Sequence, residues 1–327
     1  MLTLRRGVVT AVRERVPGLA RIEVDGVPCV AYVDLTGPVE EGDDVLVNMQ
    51  ARELELGSGG FDVLHANLSR GLELPAEQGA HVMKLPYTPI QFAVRHGEED
   101  VELPELLDGL PVVACTLHSQ IAPACAALRG VRVAYLQLPG GALPLALSDT
   151  IRSLRAHDLV HLTIGAGACF GGDLDAVNVH SALALAASRD ADVVVASIGP
   201  GIVGTGTRLG HGAMAAAEAI SAALELGGRA VLAPRVSERD ERPRHRGVSH
   251  HTETILSLWS GSYEVPWPAE CPIEDPIGSG EPELDVSDWR EACAFLPLSH
   301  MGRGPDDDPW FFAAAFAAGR RARQLLG

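Results

Sequence analysis

The stretch Val193-Val194-Val195-Ala196-Ser197-Ile198, followed by Gly199-Pro200-Gly201-Ile202-Val203-Gly204-Thr205-Gly206-Thr207, decides the fold. Six residues that are β-branched or small and apolar, broken only by one serine, read as a strand buried on both faces. A glycine-rich loop follows it, and the Ala-rich segment 214–226 then reads as a helix. The same order recurs on either side. Strands are predicted at 112–116, 131–136, 159–164, 193–198 and 230–233, and helices near 121–128, 148–155, 174–187 and 214–226. Apolar strands alternating with helices predict a doubly wound, mostly parallel α/β sandwich, a Rossmann-like arrangement that binds ligands at the carboxyl ends of its strands.

Upstream, the periodicity changes to two, as in Ala20-Arg21-Ile22-Glu23-Val24 and Val45-Leu46-Val47, with turns at Asp25-Gly26, Gly37-Pro38 and Gly42-Asp43. Several short strands in about 60 residues predict a small closed β-barrel, which leaves no exposed edge. The expected organisation is a barrel domain at 1–68, a connector at 69–110, the α/β domain at 111–260, and a segment at 261–327 packing on it. That last segment is Pro-rich (Pro266, Pro268, Pro272, Pro276, Pro282) and ends in a helical C-terminal tail, with helices near 286–294 and 309–326. The Trp310-Phe311-Phe312-Ala313-Ala314-Ala315-Phe316 run is too short to span a bilayer and predicts burial against the core or a second subunit, which leaves a homo-oligomer open.

Of 327 residues, 46% are hydrophobic and 21% charged, as in a folded protein. Acidic residues number 43 against 26 basic ones, and the net charge of −17 disfavours nucleic acid and anionic membranes as partners. Lys84 is the sole lysine, and its neighbours do not form a Walker A loop, which excludes a P-loop nucleotide hydrolase. The six cysteines lack C-x-x-C spacing and read as free thiols of a reducing compartment. With no signal-peptide pattern at the start, the expected location is cytoplasmic.

Polar and glycine residues collect where the predicted strands end. The loops are 115–119 with His118 and Ser119, 137–141 with Gly141, 165–173 with Gly171, Gly172 and Asp173, 199–207, and 235–251. Gly165 to Gly171 and Gly204 to Gly210 each carry G-x-G-x-x-x-G before a predicted helix. Such glycines let backbone N–H groups approach an anion at a helix N-terminus. Tight-turn packing is the bland alternative, and neither loop completes a dinucleotide fingerprint.

Segment 235–246 holds Arg235, Arg239, Arg242, Arg244 and Arg246 and leads to His245, His250 and His251. Guanidinium forks suit a carboxylate or phosphate. His250 and His251, adjacent at a helix start after Ser249, are expected to point about 100° apart, with one in the site and the other packed. H-E-x-x-H and G-x-S-x-G are both absent, so metal dependence and cofactor stay open and no hydrolase elbow is expected. Lys84, Ser119 and Cys169 complete the candidates.

The blocks His65-Ala66-Asn67-Leu68-Ser69-Arg70-Gly71, His81-Val82-Met83-Lys84-Leu85, Tyr87-Thr88-Pro89, Leu117-His118-Ser119 and Gly140-Gly141-Ala142-Leu143-Pro144 carry a resemblance. It continues through Phe170-Gly171-Gly172-Asp173, the 199–207 loop and Arg246-Gly247-Val248-Ser249-His250-His251-Thr252. The chain resembles the bacterial family catalogued as domain of unknown function 3866. The resemblance implies no catalytic residues, because the family has no established activity.

The leading expectation is an enzyme acting on a small anionic metabolite, phosphate- or carboxylate-bearing. Its acid/base is His118 or His250, with Asp173 orienting that imidazole or the substrate. Its binding groups are the loop glycines Gly141, Gly171, Gly172, Gly201, Gly204 and Gly206, with Thr205, Thr207, Ser119, Lys84, Arg235, Arg244, His245 and His251. The alternatives are a non-catalytic metabolite-binding or assembly and regulatory protein, and a dinucleotide-dependent oxidoreductase. A nucleophile–base pair within hydrogen-bond reach would favour the enzyme.

Overall fold

The computed structural model describes residues 2–56, 60–70, 74, 77–258, 262–274 and 283–327. Gly71, Pro75, Pro276 and Pro282 lie outside the described residues. The chain divides into two compact units, Met1–Arg95 and His96–Gly327.

The first unit contains a closed barrel of β1 (Leu4–Val16), β2 (Leu19–Val24), β3 (Val27–Ala31), β4 (Asp44–Asn48) and β5 (Asp62–Asn67), in the order β1-β2-β3-β5-β4. Two short helices, α1 (Val33–Thr36) and α2 (Gln50–Glu53), interrupt the strand sequence. The period-two pattern turns Ile22, Val24, Val45 and Val47 into a core with Val9 and Leu64. Asp25 and Gly26 both have positive φ, 49° and 76°, as a tight turn between β2 and β3 requires. The expected connector is not without structure, since β6 (Val82–Lys84) pairs antiparallel with β7 (Phe92–Val94).

In the second unit, six parallel strands follow the order β11-β10-β9-β12-β8-β13. They are β8 (Pro111–Cys115), β9 (Val133–Leu138), β10 (Leu162–Ala166), β11 (Leu174–Ala176), β12 (Val193–Ile198) and β13 (Arg229–Ala233). Alternate residues of each strand feed opposite faces. Val113, Tyr135, Val195 and Val231 pack towards α3 (Ile121–Ala126) and α9 (Pro309–Gln324). Val112, Ala134, Val194 and Leu232 pack towards α5 (Val179–Ser188) and α6 (Met214–Glu225). Complete burial of β8, β9 and β12 explains why these strands read as continuous apolar runs. Phe311, Phe312 and Phe316 of α9 are buried in the first of these layers, so the aromatic run packs on the chain's own core. No described helix is long and apolar enough to cross a membrane.

One expected element changes type. The predicted helix at 174–187 opens as edge strand β11 and becomes helical only at α5. Asn178 supplies the break, because its side chain accepts the Ser181 N–H in a capping box. The remaining α-helices among the described residues are α4 (Asp149–Ala156), α7 (His250–Leu258) and α8 (Trp289–Cys293).

Candidate functional site

The carboxyl ends of β12 and β13 carry the chain's densest group of imidazoles. After β13 the chain runs through Pro234 and Arg235 into a short ribbon, β14 (Val236–Ser237) paired antiparallel with β15 (Gly247–Val248). That ribbon closes the 235–249 excursion on itself. The Arg235 N–H donates to Thr252 Oγ1 at 2.8 Å, and the Ser249 N–H donates to the Arg235 carbonyl at 2.9 Å. The start of α7, with His250 and His251, is thereby held beside the end of β13.

The loop after β12 supplies a residue that sequence reasoning passed over. Gly204 and His211 face each other as an antiparallel bridge, closing 204–211 into a hairpin. His211 then stacks on His251 with ring centroids 4.1 Å apart and lies edge-on to His250 at 5.2 Å. His245 is 4.8 Å from His250 and 4.9 Å from His251 between centroids. One ring nitrogen from each of His211, His250 and His251 lies within 4.8 Å of the other two.

This corrects the expectation that His250 and His251 diverge, since their ring centroids are 4.5 Å apart. The helical turn of about 100° separates their Cα–Cβ bonds, and rotation about χ1 and χ2 brings both rings back to His211. The signal that could have found His211 is its setting, a lone imidazole in Gly210-His211-Gly212 just past the loop threonines.

Hydrogen bonds define the state of two rings. His211 Nε2–H donates to the Arg208 carbonyl at 3.0 Å, which leaves Nδ1 with its lone pair. That Nδ1 is buried with no hydrogen-bond partner, and so is His250 Nε2. Arg235 donates from Nη1 to His251 Nδ1 at 3.2 Å, so that nitrogen is an acceptor. Burial, reinforced by repulsion from Arg235, pushes His245 down to about 3 and His251 to about 2. Burial also lowers His211 and His250. Burial thus favours the uncharged ring at each of the four, and neutral imidazole is the form that accepts protons or ligates metals.

The basic segment is divided between structure and surface. Arg235, expected to meet the ligand, is 2% exposed and paired with Asp240 at 3.2 Å. Arg242 and Arg303 converge on the same carboxylate, so Asp240 is shared by three guanidiniums, of which Arg235 is the fully buried one. Burial pulls Arg235 down to about 10 against the opposing pull of Asp240. Arg244 remains exposed. A Cβ on Gly206 would lie 3.6 Å from its guanidinium carbon, so the glycine loop and the basic loop meet there.

The other expected site residues fall into two groups. Thr205 and Thr207 share a 2.9 Å hydroxyl contact and fold back on Gly210, which shapes the hairpin carrying His211. Gly201, in the same loop, has φ 76° and open space around it. Gly141 serves close packing, since its Cβ would sit 2.2 Å from the Gly199 carbonyl oxygen and join the loops after β9 and β12. The 165–171 loop leads into β11, so it has no helix N-terminus for an anion. Gly172 packs against the Thr163 carbonyl, while Gly171 adopts φ 80° in open space.

Asp173 does not orient His118. Its carboxylate accepts from the Thr163 N–H and hydroxyl at 2.8 and 2.9 Å and pairs with Arg155, tying β10 to α4. Both ring nitrogens of His118 are engaged, Nδ1 with the Ile198 carbonyl at 3.1 Å and Nε2 with Ser148 Oγ at 2.7 Å. Ser148 Oγ also caps α4 by accepting the Ile151 N–H, so His118 braces that cap against the end of β12. Lys84 belongs to the first unit, where it is a buried residue of β6 rather than a solvated cation.

Ser119 has a partner that sequence reasoning did not supply. Its Oγ lies 3.1 Å from His300 Nδ1, and the His300 ring stacks on Phe311 at 3.8 Å and 3°. His300 lies in the tail segment, whose place against the end of β8 no local pattern reveals. Cys169 is buried and forms no disulfide.

Fold and cluster together define a barrel-bearing, doubly wound α/β protein with a histidine–arginine centre at the carboxyl edge of its parallel sheet. The chain belongs to the family described as Protein of unknown function (DUF3866), whose sequence profile matches residues 28–319. No curated protein and no solved structure matches the chain.

Proposed function

We propose that this protein is a cytoplasmic enzyme acting on a small anionic metabolite, phosphate- or carboxylate-bearing, with the histidine cluster as its reaction centre. The observation that carries this reading is the convergence of His211, His250 and His251, two of which hold buried ring nitrogens with no hydrogen-bond partner. Orphaned polar atoms in a packed interior cost stability, and a ligand bound at the sheet's carboxyl edge would account for these two. Arg244 is the cation for the anion, because it is exposed, meets the glycine hairpin and adds to the field at His250.

Arg235 supports the centre from below by fixing His251. The 3.1 Å Ser119–His300 contact places a hydroxyl and an imidazole within hydrogen-bond reach, one element of a nucleophile–base arrangement. Neutral imidazole nitrogens are both bases and metal ligands, and either use activates a nucleophile towards a bound anion.

The test is a thermal-shift screen of phosphorylated and carboxylated metabolites, followed by NMR of the stabilising compound incubated with the protein. An anion present at about 100 times its Kd raises stability by about 2.7 kcal/mol. The expected result is stabilisation by at least one anion, its conversion by the parent, and loss of the stabilisation in Arg244→Ala. Absence of any stabilising anion overturns the reading. Stabilisation without conversion overturns the catalytic part and leaves a binding protein.

A further inference from the structure

We propose that His211, His250 and His251 form a binding site for one divalent transition-metal ion of the zinc class, with His211 Nδ1 and His250 Nε2 as the preset ligands. The inference rests on reading the cluster as the reaction centre and deepens it by naming what activates the substrate.

The geometry is that of an open three-histidine site. His211 is 93% buried, its Nε2–H is committed to the Arg208 carbonyl, and its Nδ1 is buried without a hydrogen-bond partner in a ring that packs against the other two. An imidazole that donates one N–H to a backbone carbonyl and offers the other nitrogen has the outer-shell arrangement typical of a metal-ligating histidine. His250 Nε2 is the second orphan. The three ligand atoms lie within 4.8 Å of one another, whereas Zn–N bonds of 2.0–2.1 Å in a tetrahedron put ligands about 3.4 Å apart. Metal binding therefore requires the rings to close in, and the half-buried His250 has the χ freedom to move.

The donor set selects the metal. Three imidazoles with no carboxylate or thiolate suit zinc, cobalt, nickel or copper and give calcium and magnesium no oxygen ligand. Three protein ligands leave a fourth position for water or substrate, which distinguishes catalytic from closed structural sites. Arg244 is exposed and lies against Gly206 of the hairpin that carries His211, which makes it the guanidinium for an anion bound at the metal.

His251 makes metal binding communicate with the buried charges. Its Nδ1 accepts from Arg235. Ligation through Nδ1 uses that lone pair, and ligation of the neutral ring through Nε2 puts the proton on Nδ1. In both cases the Arg235–His251 hydrogen bond breaks, while Asp240 keeps Arg235 paired.

The test is titration of the chelator-stripped full chain with Co²⁺, followed by visible d–d absorption and calorimetry, in parent, His211→Asn, His250→Gln and the surface control His180→Ala. One equivalent of Co²⁺ per chain with bands of a low-coordinate site is expected. Removing an outer-shell partner already costs a metal site 10- to 100-fold in affinity, so each ligand variant should lose at least about 100-fold. His180→Ala should bind as the parent does.

Because His250 is half-buried, His250→Gln should keep the parent's circular dichroism, which guards against a folding artefact in the more buried His211→Asn. Equal binding by His250→Gln and parent, or no stoichiometric binding by the parent, overturns the metal site. Anion stabilisation of the stripped parent with no Co²⁺ binding overturns this inference alone. Co²⁺ binding with no stabilising anion supports the metal site and overturns the anionic-substrate reading.

Discussion

His211 and His251, forty positions apart in sequence, stack with their ring centroids 4.1 Å apart and their planes 23° from parallel. Two imidazolium ions at that separation in a buried setting would repel strongly, so the stack disfavours the state in which both rings are charged. It also pins the hairpin after β12 to the start of α7, which makes the glycine loop part of the centre rather than a cover over it. Each expectation below follows from how these pieces are held.

Gly199→Ala should destabilise the protein by about 2–4 kcal/mol in urea denaturation, because its Cβ would fall 2.1 Å from the Ala142 carbonyl oxygen, a rigid backbone atom. Gly204→Ala meets only ordinary contacts at 3.4 Å and should change stability by less than about 1 kcal/mol. Equal effects would mean that the two loops do not approach as described.

Asp240→Asn removes the carboxylate shared by Arg235, Arg242 and Arg303. A buried guanidinium left unpaired costs about 3–5 kcal/mol, and that loss is expected in denaturant unfolding. Arg242→Ala, at a side chain 38% exposed, should cost about 1 kcal/mol or less.

Stability should also fall on acidification through His118. Burial holds its ring at about 4, below the ordinary 6.5, so the unfolded chain binds the proton more readily than the folded one. The contribution is complete above pH 6.5 and is lost as the pH drops from 6.5 towards 4. His118→Asn should flatten the dependence of Tm on pH across that window, and an unchanged slope would contradict the burial.

Much of the fold was legible because β8, β9 and β12 are buried on both faces and leave no polar interruption in the sequence. Strand β11 was not, since three edge residues before a capped helix share that helix's composition. In the site, the glycine loops, Arg244 and the histidine pair could be read from the order of strands and loops. His211, His300 and the engagement of Asp173 by Arg155 and Thr163 could not, because each depends on contacts between segments whose spacing carries no local pattern. Arg235 shows a further limit. An Arg-rich loop reads as an anion site until one carboxylate, Asp240, engages two of its guanidiniums, Arg235 and Arg242, together with Arg303 from the tail segment.

Nitrogen NMR of the twelve histidine rings at pH 7, before and after addition of a stabilising anion or Co²⁺, addresses the cluster most directly. His211 should carry its proton on Nε2 and none on Nδ1. The His211, His250 and His251 signals should move together on ligand addition, while those of His118 and His161 stay in place. A proton on His211 Nδ1, or a ligand that shifts other rings and leaves these three unchanged, would contradict the assignment of the centre.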